Sequence, residues 1–145
     1  MKMTTKVLQE PIINVKQKLS ALWTSVMFCY VYGDYFELYV PNKVNGLLTG
    51  DTILDTPTKL LTASVVLAIP ALMIGLSLLL KTPVSRVLNI IFGTFFTLMM
   101  LLIAVNSLTP WYSFYVFLAI TECIITAVIV FYAWTWPRED KAAAA

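Results

Sequence analysis

The chain contains no histidine, which removes the usual general base, the usual proton shuttle near neutral pH and the commonest metal ligand. Its two cysteines, Cys29 and Cys123, are far apart and form no CxxC pair, so a thiol redox enzyme or a zinc site is not expected. Charge is scarce as well. Only 12% of the 145 residues are charged and the net charge is +2, too small and too dispersed to suggest nucleic acid as a partner. There is no internal repeat, no low-complexity segment and no nucleophile–base pair, and neither a cofactor, a metal nor a catalytic residue is expected. What fills the chain is apolar: 59% of the residues are hydrophobic and the mean hydropathy is +0.82. Soluble domains are closer to half apolar and a quarter charged, so composition points to a membrane protein.

Four apolar runs, near 19–40, 60–80, 87–105 and 111–136, are each long enough to cross a bilayer as a helix, and none contains a Lys or Arg. Thr56-Pro57, Thr82-Pro83 and Thr109-Pro110 stand before the last three runs, threonine suiting the N-cap and proline the first helical position. Pro41 and Pro137 follow the first and fourth runs, where a helix should stop. Glu10-Pro11 suggests a short interfacial helix through Ile12, Ile13 and Val15. In the outer loop 41–59, Asn45-Gly46 reads as a turn, with Val44, Leu47 and Leu48 lying on the membrane surface. The expected fold is all-α, a transmembrane four-helix bundle that is mainly antiparallel because its later connections are short. Residues 1–18 form an N-terminal segment and 137–145 a tail, whose final alanines, 142–145, are set aside.

Eight of the ten Lys and Arg residues fall in the N-terminal segment, the second connection and the tail, and only Lys43 and Lys59 fall on the other side. By the positive-inside rule both termini are cytoplasmic. Trp23, Trp111, Trp134 and Trp136, near span ends, fit interfacial belts. The first span is too long, and lacks the small-residue site, for a cleaved signal peptide.

Within this apolar frame Asp34 and Glu122 stand out, since an ionised carboxylate in hydrocarbon costs roughly 2.5–3.5 kcal/mol even on lenient insertion scales. Asp34 is five residues outward of the centre of the first span, roughly 7 Å, and Glu122 is near the middle of the fourth. The two carboxyls could meet in one layer if those spans are adjacent. Glu37, one turn beyond Asp34, reads as an interfacial acid reaching water. Trp23, Met27, Tyr30, Asp34 and Glu37 share one face of the first helix, and Trp111, Tyr115, Leu118, Glu122 and Thr126 one face of the fourth. Asn89, Gly93 and Thr97 make a small, polar seam on the third, and Pro70 on the second frees the Val66 carbonyl. The ligand- or proton-binding candidates are therefore Asp34, Glu122, Asn89 and Tyr30, with Tyr115, Thr126 and Pro70 secondary. With no intramembrane cation, the acids either share a proton or await a cationic partner such as a proton, a metal ion or an amine. Tyr30, Tyr32, Tyr35, Phe36 and Tyr39 offer a cation cage in one reading and a packing belt in the other. The same acids could equally be interhelical hydrogen-bond glue, and Asn89 with Gly93 a plain packing seam.

Phe28-Cys29-Tyr30-Val31-Tyr32-Gly33-Asp34, Ile69-Pro70-Ala71-Leu72-Met73, Arg86-Val87-Leu88-Asn89-Ile90-Ile91 with Gly93, Tyr115-Val116-Phe117 leading to Glu122, and Tyr132-Ala133-Trp134-Thr135-Trp136 occur in that order. This pattern resembles a bacterial family of small four-pass membrane proteins known only as a domain of unknown function. Family members often carry an acid before the Ile-Pro of the second span, where this chain has Ala68. The resemblance implies the fold and the bacterial inner (cytoplasmic) membrane, and brings no activity with it.

The leading functional expectation is an uncharacterised membrane protein leaning to proton- or cation-linked transport, or to binding of a small cationic ligand. The alternative is a non-catalytic membrane interaction or assembly module. Partners are the lipid bilayer and a small cation or proton. A homodimer is a reasonable expectation for so small a unit. An integral-membrane enzyme ranks last.

Overall fold

A computed structural model describes residues 11–137 and is all-helical. Pro11 to Asn14 carry no helix, so the interfacial helix expected there is absent from its described part, Glu10 lying outside the described residues. Asn14 instead caps α1 (Val15–Glu37): its Oδ1 accepts the Lys16 amide at 3.0 Å while Gln17 Oε1 accepts the Asn14 amide at 3.2 Å. A short α2 (Lys43–Thr49) follows, between Asn42 and Gly50 in left-handed conformations with φ of 64° and 79°. These two residues reverse the chain, and Asn45-Gly46, expected as the turn, is helical because the reversals flank it.

Thr56 caps α3 (Pro57–Leu79), its hydroxyl accepting the Lys59 amide at 3.3 Å. Thr82 is not a cap: α4 (Thr82–Asn106) starts on it and the cap position falls to Lys81. Thr109 is extended and opens a 3₁₀ turn at Pro110–Tyr112 that leads into α5 (Ser113–Trp134). Three segments, Pro57–Leu79, Thr82–Asn106 and Pro110–Trp134, are long and apolar enough to cross a membrane, which points to a membrane protein. The first expected span is not among them. Although α1 matches α3 in length, Asp34, Gly33, three hydroxyl residues and three tyrosines dilute its apolar content.

α1 lies between α3 and α5, and α5 makes its broadest interface with α4. Contacts at both ends fix the directions. Gly33 faces Tyr115 and Leu118, Lys18 lies over the Tyr132 ring, Lys16 reaches Leu80, and Arg86 reaches Ala133. Each of these neighbouring pairs of helices therefore runs antiparallel. One core collects Leu19, Trp23, Val26 and Tyr30 from α1, Met73 from α3, Phe96 and Met100 from α4, and Ile129 from α5.

The half nearest the N-terminus of α1 is closed by polar groups. Trp23, expected in an interfacial belt, is fully buried with its ring edge-on to Phe96, and Nε1 donates to Asn89 Oδ1 at 2.8 Å. Asn89 Nδ2 donates to the Ser85 carbonyl at 2.8 Å and to Ser77 Oγ at 3.2 Å, so one amide ties α1, α3 and α4 together. Cations finish the helix ends. Lys16 Nζ donates to the Leu80 carbonyl at 2.6 Å beyond α3, and Arg86 donates through Nε to the Ala133 carbonyl and through Nη2 to that of Trp134, at 3.0 and 3.1 Å. Along the α4–α5 seam, Thr97 Oγ1 donates to Thr126 Oγ1 at 2.7 Å, which donates to the Glu122 carbonyl at 2.8 Å. A Cβ on Gly93 would sit 2.8 Å from Val130 Cγ2, so the seam closes only around glycine.

Two stability predictions follow from this packing. Asn89→Leu strands the buried Trp23 N–H, and the unfolding midpoint in detergent should fall by the equivalent of about 1–3 kcal/mol. Glu122→Gln, outside this network, should move it far less; equal shifts would deny the Asn89 cluster its holding role. Gly93→Val should cost about 1–3 kcal/mol by forcing α4 and α5 apart. Gly75→Val is the control, because nothing lies within 4 Å of a Cβ built there.

Candidate functional site

In the other half of the molecule the helices part around a cavity of about 700 Å³. The last turns of α1, the connection through α2, the first half of α3, the second half of α4 and the first half of α5 bound it. Its two sides differ in chemistry. α1 and α5 present Tyr30, Asp34, Glu37, Tyr115 and Glu122, while α3 and α4 present Leu60, Ala63, Leu67, Met99 and Ile103.

Helix register gives the polar side a vertical order. Gly33 is level with Tyr115 and Leu118, which would touch a Cβ there at 3.6 and 3.7 Å. Counting along α5 at 1.5 Å per residue puts Glu122 roughly 8 Å deeper than Gly33, and so roughly 10 Å deeper than Asp34. The two acids thus line one cavity without forming the single layer expected for adjacent spans. Asp34 is exposed at the mouth, and Glu122 forms the floor at 3% exposure. Among the described residues neither carboxylate makes an ion pair. Tyr30 lies between their levels, 8% exposed, and among the described residues its hydroxyl has no hydrogen-bond partner.

The mouth has its own electrostatics. The reversal at Asn42 brings Lys43 back over the end of α1, where Nζ pairs with Glu37 Oε1 at 2.5 Å. Tyr112 Oη adds a longer bond to the same oxygen at 3.4 Å. Glu37 is therefore a half-buried, paired acid and not the water-facing one expected. The bond from Glu37 favours the ammonium form of Lys43, raising its pKa above the ordinary lysine value against the opposing effect of burial. Since Glu37 engages this cation and Asp55 engages Lys59, Asp34 and Glu122 are the carboxyls of the cavity left without a cationic partner among the described residues.

The other candidates separate cleanly. Tyr115 lines the cavity beside Gly33. Asn89 does not: its amide is consumed by Trp23, Ser77 and Ser85 in the closed half. Thr126 lies one turn deeper than Glu122 in the α4–α5 seam, fully buried against Thr97. Pro70 is buried in an uninterrupted α3 and lies outside the cavity wall. Of the outer aromatic residues only Tyr30 reaches the cavity; Tyr32, Tyr35, Phe36 and Tyr39 are exposed on the far side of α1, with the Tyr35 and Tyr39 hydroxyls 2.7 Å apart. Lys43 and the two methionines Met99 and Met100 were not foreseen as cavity residues. The signal for Lys43 is Pro41-Asn42, a helix stop followed by the residue type most tolerant, after glycine, of a left-handed backbone.

No curated protein and no solved structure matches the chain. A family model does, over residues 7–143, and on that match the chain belongs to DUF6326, a family of unknown function.

Proposed function

We propose that this is a four-span protein of the bacterial inner membrane, with both termini cytoplasmic, whose outward-facing cavity binds a small cation in a proton-linked, non-catalytic manner, as a transporter or as a binding protein. Four spans require α1 to cross with the others. Its length of 23 residues supports this, as does its place between α3 and α5, its charges being confined to the first and last turns. Orientation rests on the basic end, where Lys16, Lys18, Lys81 and Arg86 gather.

The observation that carries the cation reading is that the carboxyls of Asp34 and Glu122 stand on the wall of a cavity of about 700 Å³ with no cationic partner among the described residues. Such a volume lies within the range of small-molecule sites, and an acid held in a bundle interior without a counter-ion is a natural partner for a mobile positive charge. A carboxylate that releases a proton on accepting a cation would couple the two. Glue between helices accounts less well for the same acids, since neither makes a side-chain hydrogen bond to another described residue.

The test is saturable binding to protein in lipid nanodiscs, measured calorimetrically with a panel of monovalent inorganic and organic cations against empty nanodiscs. At least one member should saturate the wild type and release protons into weak buffer. Its affinity should drop by about tenfold or more when Asp34→Asn and Glu122→Gln are combined, the loss expected when charge-assisted contacts are removed. Silence across the panel, or binding that survives the double substitution, overturns the proposal.

A further inference from the structure

We infer that the cation this cavity takes is an organic amine with an apolar body, bound with its ammonium toward Glu122 and its hydrocarbon against α3 and α4. The inference rests on the cation reading above and narrows it from any cation to one chemical class. Three independent features converge on it.

The first is the division of the wall. An inorganic ion that sheds its water needs oxygen donors around it, whereas α3 and α4 offer the cavity only hydrocarbon and thioether, from Leu60, Ala63, Leu67, Met99, Met100 and Ile103. Only a ligand with its own apolar surface gains from that side. Met99 and Met100 are suited to it, because unbranched thioethers adapt their shape to an apolar guest.

The second is the Tyr30 hydroxyl. Tyr30 is more than nine-tenths buried, its ring lies against Phe96 at 6.3 Å, and its Oη lacks a partner among the described residues while the residue lines the cavity between the levels of Asp34 and Glu122. A buried hydroxyl is costly to leave unpaired. As an acceptor it can take a second N–H of an ammonium whose first N–H is directed to Glu122. A primary or secondary amine supplies two such donors and a quaternary ammonium supplies none.

The third is the packing of the apolar wall. α3 and α4 follow one another through a connection of only two residues, yet they make the sparsest interface of the neighbouring long helices. The outer half of α3 has no buried residue before Pro70. The hydrocarbon side of the cavity is therefore built from the two helices least committed to each other, the pair between which an apolar ligand can be admitted from the bilayer.

A homologous series of primary n-alkylammonium ions, ethyl to hexyl, tests this in nanodiscs beside potassium and the corresponding trimethylalkylammonium ions. The quantity compared is the saturable component that disappears with Asp34→Asn plus Glu122→Gln. Each added methylene should tighten binding by about fourfold, the increment for burying one CH₂ in apolar surroundings. Potassium should bind far more weakly, and the trimethyl compounds should lose affinity relative to the primary amines of equal chain length. Leu67→Ala with Met99→Ala should flatten the chain-length series, weakening hexylammonium most and ethylammonium least, and a retained cooperative unfolding transition in detergent is the control for folding. A flat series in the wild type, or potassium binding as tightly as hexylammonium, overturns the amine assignment and leaves the cation site standing. Absence of any component sensitive to the two acids overturns both.

Discussion

The hydrogen bond from Trp23 to Asn89 is the contact on which the rest of the arrangement depends. Helices within a bilayer gain little from the hydrophobic effect between them, so association must come from close packing and from polar groups with no other partner. Asn89 concentrates the second of these at one level, binding the α1 indole, the α3 hydroxyl of Ser77 and the α4 backbone through a single amide. Gly93, one turn further along α4, supplies the first by letting α5 approach within contact distance. Together they seal one half of the molecule.

With that half sealed, the other half need not be. Polar side chains in the two halves are treated in opposite ways. In the closed half Asn89, Ser77, Ser85, Thr97 and Thr126 spend their hydrogen-bonding capacity on one another and on backbone carbonyls. In the open half Asp34, Glu122 and Tyr30 face a cavity instead. A bundle with satisfied groups throughout would be more stable and would have nothing to offer a ligand, whereas functional sites are where a fold departs from local satisfaction.

Much of this was legible in the sequence, and the exceptions are instructive. Helix positions came through because spans of apolar residues punctuated by proline leave few alternatives, and the face joining Tyr30 to Asp34 came through because helical periodicity is rigid. Trp23 is expected in a belt and is found in the core, and of the two readings of Asn89, ligand site and packing seam, the structure favours the seam. Their partnership joins residues 66 positions apart, and no periodicity within one helix reveals it. The vertical offset between Asp34 and Glu122 is hidden for a related reason: it depends on how α1 and α5 slide against each other, which brings Gly33 level with Tyr115 and Leu118 and which no periodicity within one helix encodes. Lys43 was read as a loop cation, because a single left-handed residue, Asn42, decides that the chain turns back toward Glu37.

Arg86 has a consequence for how such a chain is threaded. Its guanidinium holds the terminal carbonyls of α5 while standing in the first turns of α4. The charge that would retain the α3–α4 connection on one side of a membrane is thus also the group that completes a helix entering the fold later. Were α5 inserted in the reverse sense, its carboxyl end would lie a bilayer's thickness from Arg86, roughly 30 Å away, and both would be left uncapped. In the native arrangement one guanidinium would serve both topology and folding, and an error in one would register as a defect in the other.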